Sequence, residues 1–198
     1  MLIEHEGKRP TLADSAYVAP TAVLCGDVTL GRDSRVLFGA VLTAEGGPIE
    51  VGERCIVMEN ALVRGREGHP VVLGDHVLVG PHAHVNGAQI EHDVFLATGA
   101  SVFPGARIGH GCEVRIGAVV HVNSKLRSGS TVPIGWIAVG DPADLFPPDA
   151  HEDLWPVQRA MDFPRTVFGL ERAEATMDRI SARYAERFGR HRDDRVIE

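Results

Sequence analysis

His82 and His84 stand two residues apart in the run Gly80-Pro81-His82-Ala83-His84-Val85-Asn86-Gly87. Imidazole nitrogens are common metal ligands, and on an extended backbone alternate side chains share a face. The pair suits a metal ion whose other ligands come from elsewhere. It equally suits two outward, hydrogen-bonded histidines, since a chain with 10 histidines clusters some of them by chance. The three cysteines, Cys25, Cys55 and Cys112, are odd in number and widely spaced. That pattern fits neither a secreted disulfide framework nor a zinc knuckle, so they read as reduced, packed thiols.

The element that must position these residues is a repeat of six. Ile90, Leu96, Val102, Ile108, Val114, Val120, Leu126 and Val132 recur at every sixth residue without a miss. Two residues before most of them stands something small: Ala100, Ala106, Cys112, Ala118, Ser124 and Ser130. The same phase runs through Val18, Leu24, Leu30, Val36 and Leu42, then Val51, Val57 and Val63, then Leu73, Val79 and Val85. A period of six carries apolar residues around a 3.6-residue helix instead of along one face, so the pattern is not helical. It predicts a solenoid whose large and small positions share one interior, with the Gly- and Pro-bearing offsets AEGGPIE and RGREGHPVV as surface loops. Glycine after the aliphatic, as in Leu30-Gly31 and Leu73-Gly74, predicts corners. His92 and His110, one coil of three hexapeptides apart, should stack about 4.8 Å apart, most simply as a surface pair.

After Val139-Gly140-Asp141-Pro142 the pattern stops, and Pro147-Pro148 marks a boundary. Leu154, Val157 and Met161 have helical spacing, Pro164 forces a break, and Ala173, Met177, Ile180, Tyr184 and Phe188 form a stripe that predicts a long helix docked on the prism. The expected organisation is a β-helix over 1–145, a helical segment over 146–190 packing on it, and a polar tail over 191–198. The net charge of -7, with no basic patch, argues against nucleic acid. No run approaches the roughly 20 apolar residues of a membrane helix, and the N-terminus lacks an apolar signal core. A cytoplasmic protein is expected.

From Val18 to about Asp144 the chain resembles the γ-class carbonic-anhydrase-like branch of the hexapeptide-repeat proteins. The resemblance lies in its VAP…GDVTLG opening, its LGDHVLVG run and its VGDPA close. It implies an all-β solenoid, a left-handed parallel β-helix followed by a C-terminal α-helix, assembled as a homotrimer. It also implies a zinc ion between subunits that three histidines hold and that makes hydroxide from water. At those ligand positions this sequence has Arg64, Pro81 and Asn86. A guanidinium offers only donors, so zinc is not expected there, and CO2 hydration should be lost. Other family positions drift as well, to Thr43, Glu45, Met58 and Glu59.

The replacements suggest a cleft for a small anionic or acyl ligand, with Arg64, Asn86 and Glu59 binding it and His82 and His84 beside them. Glu59 could instead neutralise Arg64. The other arm of the superfamily, the CoA-dependent acyltransferases, implies acyl-CoA and a histidine general base, for which His69 in GREGHPVV is the candidate, although the sequence shows no basic cradle for CoA phosphates. Two further readings stay open: a non-catalytic trimeric scaffold, and a hydratase or hydrolase whose metal has moved to His82 and His84. Catalytic candidates are therefore Glu59, His69, His82 and His84, with whether the protein is an enzyme undecided.

Overall fold

A computed structural model describes residues 1–197. Short strands of two to five residues alternate among three faces of a prism, each face a sheet whose winding strands run parallel. One coil shows the logic. Leu62–Arg66 lies on the first face, Val71–Leu73 on the second and Leu78–Val79 on the third. His84–Asn86 then returns to the first face with Leu62 opposite His84, Val63 opposite Val85 and Arg64 opposite Asn86. The solenoid is a left-handed β-helix of about eight turns.

The six-residue column is the axis. Leu24, Leu42, Val57, Val63, Val85, Leu96, Val114 and Val132 are fully buried, and only Val18, near one end, is partly exposed. Each such side chain contributes roughly 1.5–3 kcal/mol by leaving water. The small partners Ala22, Ser34, Ala40, Ala100, Ala106, Cys112, Ala118 and Ser124 are buried beside them.

Two expectations need correction. The glycines after the aliphatics do not turn the chain; the next coil stacks on them. A Cβ on Gly31 would stand 2.4 Å from the carbonyl oxygen of Gly52. The corners are turned by residues further on, Asn60 and His82 among them, with φ of 56° and 55°. Nor are the first two offsets simple loops. Val41–Glu45 and Leu62–Arg66 lengthen into five-residue strands that pair over their whole length before the tips at Gly46-Gly47 and Glu67-Gly68.

The C-terminal helical segment holds three helices, α1 (His151–Ala160), α2 (Phe163–Phe168) and α3 (Met177–Gly189), so a short helix stands where Pro164 was expected to force a break. Pro164 stands in the first turn of α2, where a missing N–H costs nothing, and Gly169, at φ 65°, ends it. Leu154, Val167, Leu170 and Ile180 are buried, while Met177, expected in the docking stripe, is 71% exposed.

The segment expected as a polar tail is ordered. Arg190–Asp193 forms a 3-10 turn, and Arg195–Val196 pairs antiparallel with Leu2–Glu4. Its polar side chains are compatible with this because backbone hydrogen bonds, not apolar burial, hold the strand; Ile197 N–H donates to Leu2 O at 2.9 Å. At the other end Ala143–Phe146 folds back on Ile137–Gly140. The first face is thus a ten-stranded sheet with a reversed strand at each end. The last residue of the expected tail, Glu198, lies outside the described residues.

Candidate functional site

The polar chemistry collects on the first face, beneath the C-terminal helices. Strand register sets Cys25, Thr43, Arg64 and Asn86 in one column, because each pairs with the next on adjacent strands. His84 lies two residues before Asn86. Four buried side-chain atoms in this region have no hydrogen-bond partner among the described residues: Arg64 Nε, His84 Nε2, Asn86 Oδ1 and His121 Nδ1. Aromatic rings roof the column. The Phe188 ring of α3 sits 5.7 Å from Arg64 Cζ, a cation–π distance. Phe103 stands between His84 and His121 with centroids 6.1 and 6.4 Å away, and Phe163 of α2 is 5.8 Å from His121. Burial, and then the charge of Arg64, pulls the His84 imidazole below its usual pKa; burial does the same to His121.

Beside this column opens a basin of about 460 Å³. Its walls are Arg66 and His69 from the 66–69 tip, Arg165 and Thr166 from α2, and Arg183, Arg187 and Arg190 from α3 and the residue after it, with Glu67 and Glu186 as the acids. Several of these cations are engaged: Arg165 with Glu171, Arg187 with Glu67 at 3.9 Å and Arg190 with Glu6 at 3.1 Å. Arg66 and Arg183 have no carboxylate within ion-pair reach among the described residues. Arg66 is buried, donates to Val167 O and is pulled below its usual pKa, by burial first and also by the Arg187 and Arg64 charges. Arg183 donates to the carbonyls of Phe168 and Gly169, both at 3.0 Å, at the C-terminus of α2, where a cation meets the negative end of the helix dipole.

His69 exchanges two backbone hydrogen bonds with Arg66, both 2.9 Å. It lines the basin and also a second cavity of about 240 Å³ formed with Gly87, Gln89, Gly105, Arg107 and Asn123. Burial, then the Arg66 charge, lowers its pKa, so the imidazole is neutral near pH 7.

The other residues expected at the site are dispersed. Arg64 and Asn86 do meet, but under the chain's own Phe188. Glu59 sits at the corner between the third and first faces, stacked under Pro81 by the register of the preceding strands, and makes no ion pair with Arg64, whose guanidinium lies over Phe188, among the described residues. His82 is exposed at the corner tip and His84 is on the face, so the left-handed backbone at His82 breaks the alternation that would have set both on one face. His92 and His110 do follow one another in register; both are exposed, each beside an aspartate, Asp75 at 3.4 Å and Asp93 at 3.5 Å. Sequence reading missed the basin arginines because they come from a coil tip and from helices about a hundred residues on. It also missed His5, His191 and Asp194, which the fold brings to Cys25.

No family model matches the chain. It is 32% identical over 143 residues to "Gamma carbonic anhydrase 1, mitochondrial" of Arabidopsis thaliana, a match covering 69% of this chain and 50% of that protein. It is 26% identical over 111 residues to "Carbonic anhydrase" of Geobacillus kaustophilus, covering 56% of this chain and 61% of that protein. The chain thus spans about half to three fifths of the length of these curated relatives. Among solved structures, a hexapeptide transferase family protein from Anaplasma phagocytophilum superposes with a TM-score of 0.53 at 22% identity, covering 93% of this chain and 97% of the other, which is a likeness of fold.

Proposed function

From a chain homologous to the γ carbonic anhydrases and wound as a hexapeptide-repeat β-helix, we infer a homotrimeric binding protein for a small anion, in which zinc-dependent hydration has been given up. The residues at the family's ligand positions do not suit zinc. Arg64 presents donors only, Pro81 has no side-chain lone pair, and Asn86 offers one amide oxygen, itself unpartnered. No step through a metal is derived there.

The observation that carries the reading is the pair Arg66 and Arg183, facing a 460 Å³ basin without a carboxylate partner among the described residues. Guanidinium groups bind carboxylate and phosphate oxygens with two parallel hydrogen bonds. This reading sets the anion in the basin adjoining the expected Arg64–Asn86–Glu59 cleft. Trimer formation is supported by an exposed apolar edge: Phe38, Phe95, Ile116 and Ile134 are 52%, 42%, 54% and 63% exposed, and the last three line a groove of about 590 Å³ that also includes Pro81.

A second reading, acyl transfer from acyl-CoA, is favoured by one feature. The basin supplies the basic cradle that the sequence did not show, and His69, kept neutral as a general base must be, connects it to the 240 Å³ cavity.

Calorimetric titration with inorganic pyrophosphate and with acetyl-CoA tests both. Saturable pyrophosphate binding that weakens at least tenfold in Arg183→Ala is expected. Absence of saturable binding by either probe would remove the anion reading. Tight acetyl-CoA binding with acyl turnover lost in His69→Asn would select the transferase.

A further inference from the structure

At the lower end of the first-face column, four side chains from distant parts of the chain converge. His5 follows the first strand, Cys25 ends Val23–Cys25, and His191 lies within the 3-10 turn after α3, with Asp194 immediately beyond it. One ligand atom from each lies within 4.8 Å of all the others, and His5 and Cys25 are buried. His5 Nδ1 is 2.6 Å from Asp194 Oδ1, His191 Nδ1 is 2.7 Å from Asp194 Oδ2, and the Cys25 thiol donates to that same Oδ2 at 3.6 Å. The two imidazoles stack with centroids 4.4 Å apart.

The outer atoms are held as well. His191 Nε2 lies 3.0 Å from Glu45 Oε1, which also accepts from Thr43 Oγ1 at 2.9 Å, and His5 Nε2 lies 3.8 Å from Glu6 Oε2. Histidines that bind metal through one nitrogen usually give the other to a carboxylate, which fixes ring orientation and tautomer. Here both rings aim Nδ1 at a common point and keep Nε2 towards an outer carboxylate. A hydrogen-bonded cluster alone requires no thiol at that point.

We propose that His5, Cys25, His191 and Asp194 form a structural zinc site that fastens the C-terminal segment to the first coils of the prism. Zinc takes thiolate sulfur at about 2.3 Å and imidazole nitrogen or carboxylate oxygen at about 2.0–2.2 Å, so tetrahedral ligand atoms stand roughly 3.4–3.8 Å apart. Reaching that geometry means opening the 2.6 and 2.7 Å contacts of Asp194 with the two imidazoles and shortening the widest separations from 4.8 Å, shifts of about an ångström in each direction. Binding displaces the thiol proton and any proton shared between Asp194 and the imidazoles to solvent. Cys25 thiolate and Asp194 carboxylate then neutralise the dication. Four protein ligands leave no open position, which marks a structural site. The site is separate from the arginine basin and does not depend on its function.

The test is a cobalt(II) titration of the metal-free full-length chain, followed by absorption. One equivalent per chain should give the intense visible bands of tetrahedral cobalt and a thiolate-to-cobalt charge-transfer band. That band should vanish in Cys25→Ser, stay unchanged in His82→Ala, and form about 10–100-fold more weakly in Glu45→Gln, an outer-carboxylate variant. Cys55 and Cys112 donate instead to the backbone carbonyls of Gly74 and Arg127, at 3.0 Å each, so the wild-type spectrum decides even if Cys25→Ser does not fold. No thiolate band at stoichiometric cobalt, or a band that survives in folded Cys25→Ser, would overturn the proposal.

Discussion

Arg64 and Asn86 stand opposite each other on adjacent strands of the first face, and each buries a polar atom without a hydrogen-bond partner among the described residues. An unmet buried acceptor costs about 1–3 kcal/mol. Asn86→Val, which suits a strand and removes the acceptor, should raise the free energy of unfolding by about 1 kcal/mol. Urea denaturation measures it. A fall in stability would mean that the oxygen is satisfied in the assembled protein by a ligand or a neighbouring subunit.

Acid should loosen the molecule through His84 and His121. Both have folded pKa values lowered by burial. As pH falls below about 6.5 the unfolded chain takes up these protons first, so stability drops from there downwards. His191 acts in the opposite sense. In the metal-free chain burial opposes its protonation, but the hydrogen bonds it donates to Asp194 and Glu45 outweigh that and raise its pKa, so its contribution is full below about pH 6.5 and fades as pH rises through the raised value. His121→Phe, set among Phe103 and Phe163, should flatten the acid arm of a plot of unfolding midpoint against pH. An unchanged acid arm would show that His121 has access to water or a proton-accepting partner.

Gly47 and Gly65 pack backbone to backbone where the long first-face strands end. A Cβ on Gly47 would stand 2.0 Å from Arg66 O, and one on Gly65 would stand 2.2 Å from Gly47 O. Gly47→Ala should cost about 2–3 kcal/mol of stability through overpacking and weaken pyrophosphate binding by displacing Arg66. Gly68→Ala is the comparison: open space surrounds it, but its φ of 72° disfavours a side chain, so its cost should be limited to about 1 kcal/mol of backbone strain.

The apolar edge predicts oligomeric state. Ile116→Asp combined with Ile134→Asp removes two side chains more than half exposed in the single chain. Sedimentation should show a trimer for the wild type and a monomer of unchanged circular dichroism for the double variant. A wild-type monomer would leave the apolar groove in need of another explanation.

The repeat was legible because its cause is local: one side chain per hexapeptide points at the axis, and any polar residue there would be buried without partners. Val36, Val57 and Val79 therefore announce their places from sequence alone, and the registers follow. Arg64 and Asn86, brought together in the sequence by the family's ligand positions, do stand opposite each other on adjacent strands. What lay over them did not, because Phe188 belongs to a helix whose docking depends on tertiary packing. Cys25 and Asp194, 169 positions apart, meet for the same reason. The polar run after Gly189 looked like a tail because composition reports apolar burial, whereas main-chain pairing with Leu2–Glu4 holds it.

The reversed strands at both ends of the first face have a consequence for growth. Within the coils every pairing on that face is parallel, so an uncapped terminal strand would offer the next molecule a template of matching polarity and invite an end-to-end fibre. Arg195–Val196 and Ala143–Phe146 occupy those edges running the other way. The outermost strands of the first-face sheet are thus short reversed segments, so any strand that added there would have to pair with one of them and could not carry the parallel winding of the coils on into a second molecule.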